Sequence, residues 1–131
     1  MNQPLLFRPR ALIVEDESIV AMEIQDQLEA LGWDACGVAA TGEEAIRLAA
    51  AGRPDLILMD ITLRGAMSGI EAAEKILALR AVPIIFLTAT VDEKIAARIR
   101  ALDAEAVFLG KPFAEEELRR ETERIRIRLS G

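Results

Sequence analysis

The chain has 131 residues, enough for one domain with a full core, and an apolar content of 52% excludes a disordered chain. The net charge of −6 argues against nucleic acid as a direct partner. No apolar run approaches the roughly 20 residues of a membrane-spanning helix, so no membrane association is expected. The opening residues do not form a signal peptide. With Cys36 as the only cysteine, an internal disulfide is impossible, and a reducing cytoplasm is the expected setting. Histidine is absent, which removes the commonest general base and zinc ligand.

In chain order, residues 1–9 read as a lead-in to a single domain over residues 10–131. Ala11-Leu12-Ile13-Val14 is a short apolar strand, followed at once by Glu15-Asp16-Glu17. A helix is predicted over residues 18–31, with Val20, Ile24, Leu28 and Leu31 on one face and Gly32 just past its end. Residues 33–39 read as a second strand, weakened by Asp34 and Gly37. Thr41-Gly42-Glu43-Glu44 fits a capping box and opens a helix to about residue 51. Gly52-Arg53-Pro54 breaks it. Leu56-Ile57-Leu58-Met59 is an uninterrupted apolar run that leads to Asp60, the pattern of a strand buried on both faces. Ser68-Gly69-Ile70-Glu71 is a second capping box, for a helix to about residue 80. Residues 83–88 form a fourth strand, and Thr90-Val91-Asp92-Glu93 reads as a third capping box before the stripe Ile95, Ile99 and Leu102. A fifth strand over residues 106–109 and a last helix over residues 114–129 complete the pattern.

Five strands alternating with five helices imply a parallel sheet covered on both faces, with right-handed crossovers placing all strand C-termini on one edge. Ligands bind at that edge in open α/β sheets. There the sequence puts Glu15 and Asp16 after the first strand, Asp60 after the third, Thr88 at the end of the fourth and Lys111 after the fifth. Clustered carboxylates repel one another and call for a cation; hard oxygen ligands with open positions suit Mg²⁺, with Mn²⁺ as a substitute. A carboxylate can also act as nucleophile and form an acyl phosphate, while phosphoryl transfer mainly needs positioning and neutralised oxygens. In that chemistry Asp60 is the acceptor, Lys111 the counter-charge and Thr88 the hydroxyl donor.

Taken singly, these residues have plainer readings. Asp60 could start a loop, Glu15 and Asp16 could favour the following helix through its dipole, Lys111 could be a solvated loop lysine, and Thr88 a β-branched strand residue. Phe108 could be plain core, Cys36 a small buried hydrophobe, and the arginines of the last helix a solvated face. Their joint occurrence at one sheet edge favours the chemical reading.

The segments Leu12-Ile13-Val14-Glu15-Asp16-Glu17, Asp55-Leu56-Ile57-Leu58-Met59-Asp60, Phe86-Leu87-Thr88-Ala89 and Lys111-Pro112-Phe113, in this order and spacing, resemble the receiver domain of two-component response regulators. The resemblance runs from about residue 10 to the end of the last helix. It implies a flavodoxin-like, doubly wound, five-stranded parallel sheet of order 2-1-3-4-5 with five helices. It also implies a phosphoacceptor of a two-component system or phosphorelay, loaded by a histidine kinase or histidine phosphotransfer protein. By the same resemblance Asp60 is the phosphoacceptor; Glu15 and Asp16 are the acidic pair at Mg²⁺, which Asp60 and the backbone carbonyl of Thr62 complete. Thr88 becomes the switch hydroxyl, Phe108 the switch aromatic and Lys111 the phosphate-binding lysine. Residues 92–129 become the surface that meets a downstream protein target or a second copy. Thr62 and Thr90 would flank the attacking water of dephosphorylation, and neither can act as a general base.

Four positions depart from the family pattern. Arg64 stands where a proline is common, the loop before Gly69 is one residue longer, Glu15 replaces a frequent aspartate, and Phe108 replaces a frequent tyrosine. The chain is thus expected to signal rather than to act as an enzyme on a substrate, catalysing only its own phosphorylation and dephosphorylation. An aspartyl-phosphate phosphatase would want an acid where Thr62 stands, and a flavin carrier would want a Gly- and hydroxyl-rich loop where Glu15-Asp16-Glu17 stands. A receiver-like module that ignores phosphate remains an alternative. With no residues left over for an output domain, the expectation is a stand-alone receiver or a fragment of a larger regulator or hybrid kinase.

Overall fold

A computed structural model describes residues 8–90 and 92–130. Its elements are β1 (Arg10–Val14), α1 (Ser18–Ala30), β2 (Asp34–Ala39), α2 (Gly42–Gly52), β3 (Leu56–Asp60), α3 (Gly69–Leu79), β4 (Ile84–Thr88), α4 (Glu93–Leu102), β5 (Val107–Gly110) and α5 (Glu115–Ser130). All neighbouring strands pair parallel, in the order β2-β1-β3-β4-β5, the flavodoxin-like arrangement. Residues 1–7 of the expected lead-in lie outside the described residues. Pro9, its last residue, is already buried, and its carbonyl accepts from Asp34 N–H at 2.8 Å.

The uninterrupted apolar runs form the strands covered on both sides. Every residue of β3 and β4 is buried. Their side chains alternate between two cores, as a period of two dictates. Ile57, Met59, Ile84 and Phe86 face one core with Ala45, Ala49, Ile70, Ala73, Ile76 and Ile99 of α2, α3 and α4. Leu56, Leu58, Ile85 and Leu87 face the other, with Ile24 and Leu28 of α1 and Leu118 and Ile125 of α5. Each of the Leu, Ile, Met and Phe side chains among them contributes about 1.5–3 kcal/mol by burial. The end of β3 therefore sits on the most deeply buried part of the sheet, and Asp60 inherits that fixity.

Helix boundaries follow the capping chemistry with two differences. Ser68 makes both halves of its box: Ser68 Oγ accepts from Glu71 N–H, and Glu71 Oε1 accepts from Ser68 N–H. Thr41 makes only one half; its Oγ1 accepts from Glu44 N–H, but Glu44 Oε1 turns to Ala40 N–H. The expected box at Thr90 does not form. Asp92 caps α4, its Oδ1 accepting from Lys94 N–H at 2.7 Å and Ile95 N–H at 3.4 Å. Aspartate outranks threonine as a cap, and the Thr90 backbone is committed to the Thr88 hydroxyl. Strand β5 begins one residue later than expected because Ala106 N–H closes a turn onto Asp103 O. Likewise β2 begins at Asp34, leaving Trp33 as a buried core residue beneath the Arg126 guanidinium. Cys36 is half-buried, with Sγ 3.4 Å from the Ala11 carbonyl, and burial pushes its thiol pKa up.

Candidate functional site

The C-terminal ends of β1, β3, β4 and β5 meet at one edge of the sheet. Each contributes a polar residue at the point where its apolar run stops. Glu15 follows β1 directly, and its N–H donates to the Ala39 carbonyl at the end of β2, so β2 fixes the backbone that carries the acid. Lys111 follows β5, and its N–H donates to the Thr88 carbonyl at 2.8 Å. Asp60 and Thr88 are the last residues of their strands.

The side chains converge as expected from the strand ends. Lys111 Nζ lies 2.9 Å from Glu15 Oε1 and 3.1 Å from Asp60 Oδ2, bridging residues 96 and 51 positions away. Glu15, Asp16 and Asp60 each offer a carboxylate oxygen within 4.8 Å of the others. Glu15 is 1% exposed and Asp60 4% exposed, so the ammonium is what makes their burial tolerable. The second oxygen of Asp60, Oδ1, accepts from Thr62 N–H at 3.0 Å. Glu15 Oε2 accepts from Glu17 N–H at 3.2 Å. A cavity of about 400 Å³ opens over this group, lined by Asp16, Asp60, Thr62, Arg64, Ala89 and Lys111 among others.

Electrostatics follow from burial and pairing. Burial pushes the Glu15 carboxyl above its usual range, against the pull of its hydrogen bonds from Lys111 and Glu17, and the Asp60 charge adds to the rise. Burial also works against the Lys111 ammonium, but its hydrogen bonds to Glu15 and Asp60 prevail and raise its pKa. Three carboxylates facing the Lys111 ammonium and the largely exposed Arg64 guanidinium leave an excess of negative charge. That excess, on hard oxygens beside an open cavity, fits a small divalent cation. Glu15, Asp16 and Asp60 are the residues that could hold it.

Thr88 and Phe108 complete the set in particular postures. Thr88 Oγ1 donates to the Thr90 carbonyl at 2.6 Å and accepts from Thr90 N–H at 3.2 Å, so the hydroxyl is closed onto its own loop. Phe108 is half-buried, 6.1 Å from the Phe86 ring and beneath the Arg100 guanidinium at 5.6 Å. Thr62 meets Asp60 through its N–H. Two contacts were not visible in the sequence. Arg64 N–H donates to Asp16 Oδ2 at 3.0 Å, across 48 residues. Gly69, at the start of α3, presses on Asp60 so closely that a Cβ there would lie 2.0 Å from the Asp60 carbonyl oxygen. The capping box singled out Gly69, but only the three-dimensional packing shows this approach.

The fold and this edge define the receiver class of signalling domain. The chain belongs to the response regulator receiver domain family, whose sequence profile matches residues 11–123. It is similar to the transcriptional regulatory protein PdtaR of Mycobacterium tuberculosis, 38% identical over 109 residues that cover 83% of this chain and 52% of that protein. The phyllosphere-induced regulator PhyR of Methylorubrum extorquens is 39% identical over 107 residues, 78% of this chain and 38% of the relative. The chain thus spans about half or less of the length of these curated relatives. Among solved structures, the receiver domain of a modulated diguanylate cyclase from Desulfovibrio desulfuricans superposes with a TM-score of 0.82 at 40% identity, covering 91% of this chain and 94% of that one. The response regulator PhyR from Brucella abortus gives 0.71 at 33% identity, over 86% of this chain and 45% of that one. Among the described residues, no helix is long and apolar enough to cross a membrane.

Proposed function

We propose that this receiver is a phosphorylation-driven switch in which Asp60 accepts a phosphoryl group from a histidine kinase or histidine phosphotransfer protein. The observation that carries this reading is the bridging of Asp60 and Glu15 by Lys111, with Asp16 in the same cluster, beneath an open cavity. An Asp60 carboxylate oxygen attacks the phosphorus of the donor. The new O–P bond makes an acyl phosphate, and the donor's P–N bond (P–O in acetyl phosphate) breaks with its electron pair leaving on the donor. Lys111 is already bonded to Asp60 and lies where it can meet an oxygen of the incoming group. Thr62 N–H fixes the rotation of the Asp60 carboxylate. Glu15, Asp16, Asp60 and the Thr62 backbone carbonyl would hold Mg²⁺, which would supply positive charge for the phosphoryl oxygens. Ala89, beside Thr88 at the cavity, is too small to block the group.

The switch follows from the posture of Thr88. A phosphoryl group on Asp60 offers its hydroxyl a charged acceptor, stronger than the neutral Thr90 carbonyl it now holds. Its departure frees space on the face of the sheet that Phe86 and Phe108 share, and Phe108 moves without burying a hydroxyl. Residues 92–129 then change and bind a downstream protein or a second copy. The signal is read by protein contact in the cytoplasm.

The test is intact-mass measurement after incubation with acetyl phosphate. One added phosphoryl group is expected with Mg²⁺ or Mn²⁺, none without a metal, and none in Asp60→Asn. An adduct of equal extent in Asp60→Asn, or no requirement for metal, would overturn the assignment. No adduct under any condition would instead favour an interaction module that ignores phosphate.

A further inference from the structure

The three carboxylates of the site are shared between two cations. Lys111 takes Glu15 and Asp60. Asp16 is held from the loop after β3, by Arg64. The Arg64 N–H donates to Asp16 Oδ2 at 3.0 Å, and Arg64 Nε lies 3.5 Å from the same oxygen. These two contacts differ in kind. The N–H bond belongs to the backbone and orients Asp16 whatever side chain stands at position 64, proline excepted. The guanidinium contact is a charge neutralisation, made by a side chain 79% exposed against one only 12% exposed. Arg64 also lines the cavity over Asp60 and Lys111, so its charge stands on the path by which ions reach the acids.

We propose that Arg64 is a latch on the metal site: its guanidinium occupies Asp16 in the resting protein and must be displaced when a divalent cation binds. The inference rests on the Mg²⁺-dependent reading of the acidic cluster given above. The two cations compete for one carboxylate and repel each other across the same cavity. The latch therefore lowers divalent-cation affinity without touching the orientation of Asp16. Because the guanidinium is largely solvated, the effect is limited to what an exposed ion pair supplies, a factor of about 1.5–5 in an equilibrium constant. It is also screened: the Debye length falls from about 10 Å at 0.1 M salt to about 3 Å at 1 M.

Titration with Mn²⁺ alone, followed by the electron paramagnetic resonance of the free ion, reads this directly on the full chain. Arg64→Gln keeps the N–H and removes the charge; it should bind Mn²⁺ about 1.5–5-fold more tightly than wild type at low salt, with the gap closing at 1 M. Arg64→Lys restores the charge and should lie nearer to wild type than to Arg64→Gln. The latch is refuted if Arg64→Gln binds with equal or lower affinity at low salt, or if its advantage persists undiminished at 1 M, as a change of loop shape would. Asp16→Asn separates the two levels of the argument. Weakened Mn²⁺ binding in Asp16→Asn with an unmoved Arg64→Gln removes the latch alone. Binding unaffected by Asp16→Asn removes the metal reading on which it stands.

Discussion

Replacing Gly69 by alanine tests how firmly the start of α3 is braced against the acceptor. The added methyl would lie 2.0 Å from the Asp60 carbonyl oxygen and 2.9 Å from both Asp60 C and Ile61 Cα. Ordinary contact begins at 3.4 Å, so helix and strand end must part by the difference from 2.0 Å, about 1.4 Å. No flexible side chain can absorb this, because all three neighbours are backbone atoms. Gly69 N–H also donates to the Ile61 carbonyl at 3.0 Å, a bond that the separation stretches. Overpacking of this kind costs about 1–3 kcal/mol, and alanine's better helix propensity, worth at most about 1 kcal/mol, offsets only part. In a domain of this size each kcal/mol lowers Tm by roughly 4 °C. The larger effect falls on chemistry, since a displacement of about 1 Å in a reacting group can cost about a hundredfold in rate. Phosphorylation by acetyl phosphate, followed by mass, should therefore be about a hundredfold slower in Gly69→Ala while a melting curve shows a folded protein. A variant that accepts phosphate at the wild-type rate with an unchanged Tm would show that the close approach does not set the position of Asp60.

Further expectations concern charge, switching and lifetime. Because burial raises the folded-state pKa of Glu15, its contribution to stability is fully present below the ordinary 4.5 and is lost as pH rises through the folded value. Metal-free Glu15→Gln, measured by denaturant titration, should thus gain on wild type as pH rises above the ordinary 4.5; a difference that is flat or falls with rising pH contradicts the burial argument. Thr88→Ala should still accept phosphate, with a stability loss of about 0.5–1.5 kcal/mol from the bond to Thr90. Unlike wild type, it should show no change in hydrogen exchange over residues 92–129 on adding beryllofluoride; identical exchange in both states of the wild type would defeat the switch. With threonine at both 62 and 90, loss of the phosphoryl group should be slow, and an acid or amide at either position should change the decay rate. Decay unmoved by substitutions at both sites would count against their role.

Much of this architecture was legible because the informative residues report on themselves. The short apolar runs of β3 and β4, bounded by turn residues, read as strands covered on both faces, and both are fully buried. Once their alternation with helices implies a parallel sheet, the acids and the lysine at the strand ends must share an edge, and Lys111 does meet Glu15 and Asp60. What stayed hidden depends on competition or on distance. At α4 the sequence pointed to Thr90, but Asp92, the stronger cap, won while Thr90 was drawn to Thr88. The Arg64 contact with Asp16 spans 48 residues, and nothing local to either residue encodes it. Gly69 looked like one position of a capping box, whereas its lack of a side chain serves the backbone of Asp60. The stacking of Arg100 on Phe108 likewise needs the packing of α4 on β5.

The identity of the residue that receives the phosphoryl group is the centre of the account. Borohydride reduction of the phosphorylated protein converts an aspartyl phosphate to homoserine, and peptide mass mapping then locates it. The account predicts homoserine at position 60, only in samples given both phosphoryl donor and Mg²⁺. Homoserine at Asp16 or any other aspartate, reduction at Glu15, or a phosphorylated protein with Asp60 unmodified, would contradict it.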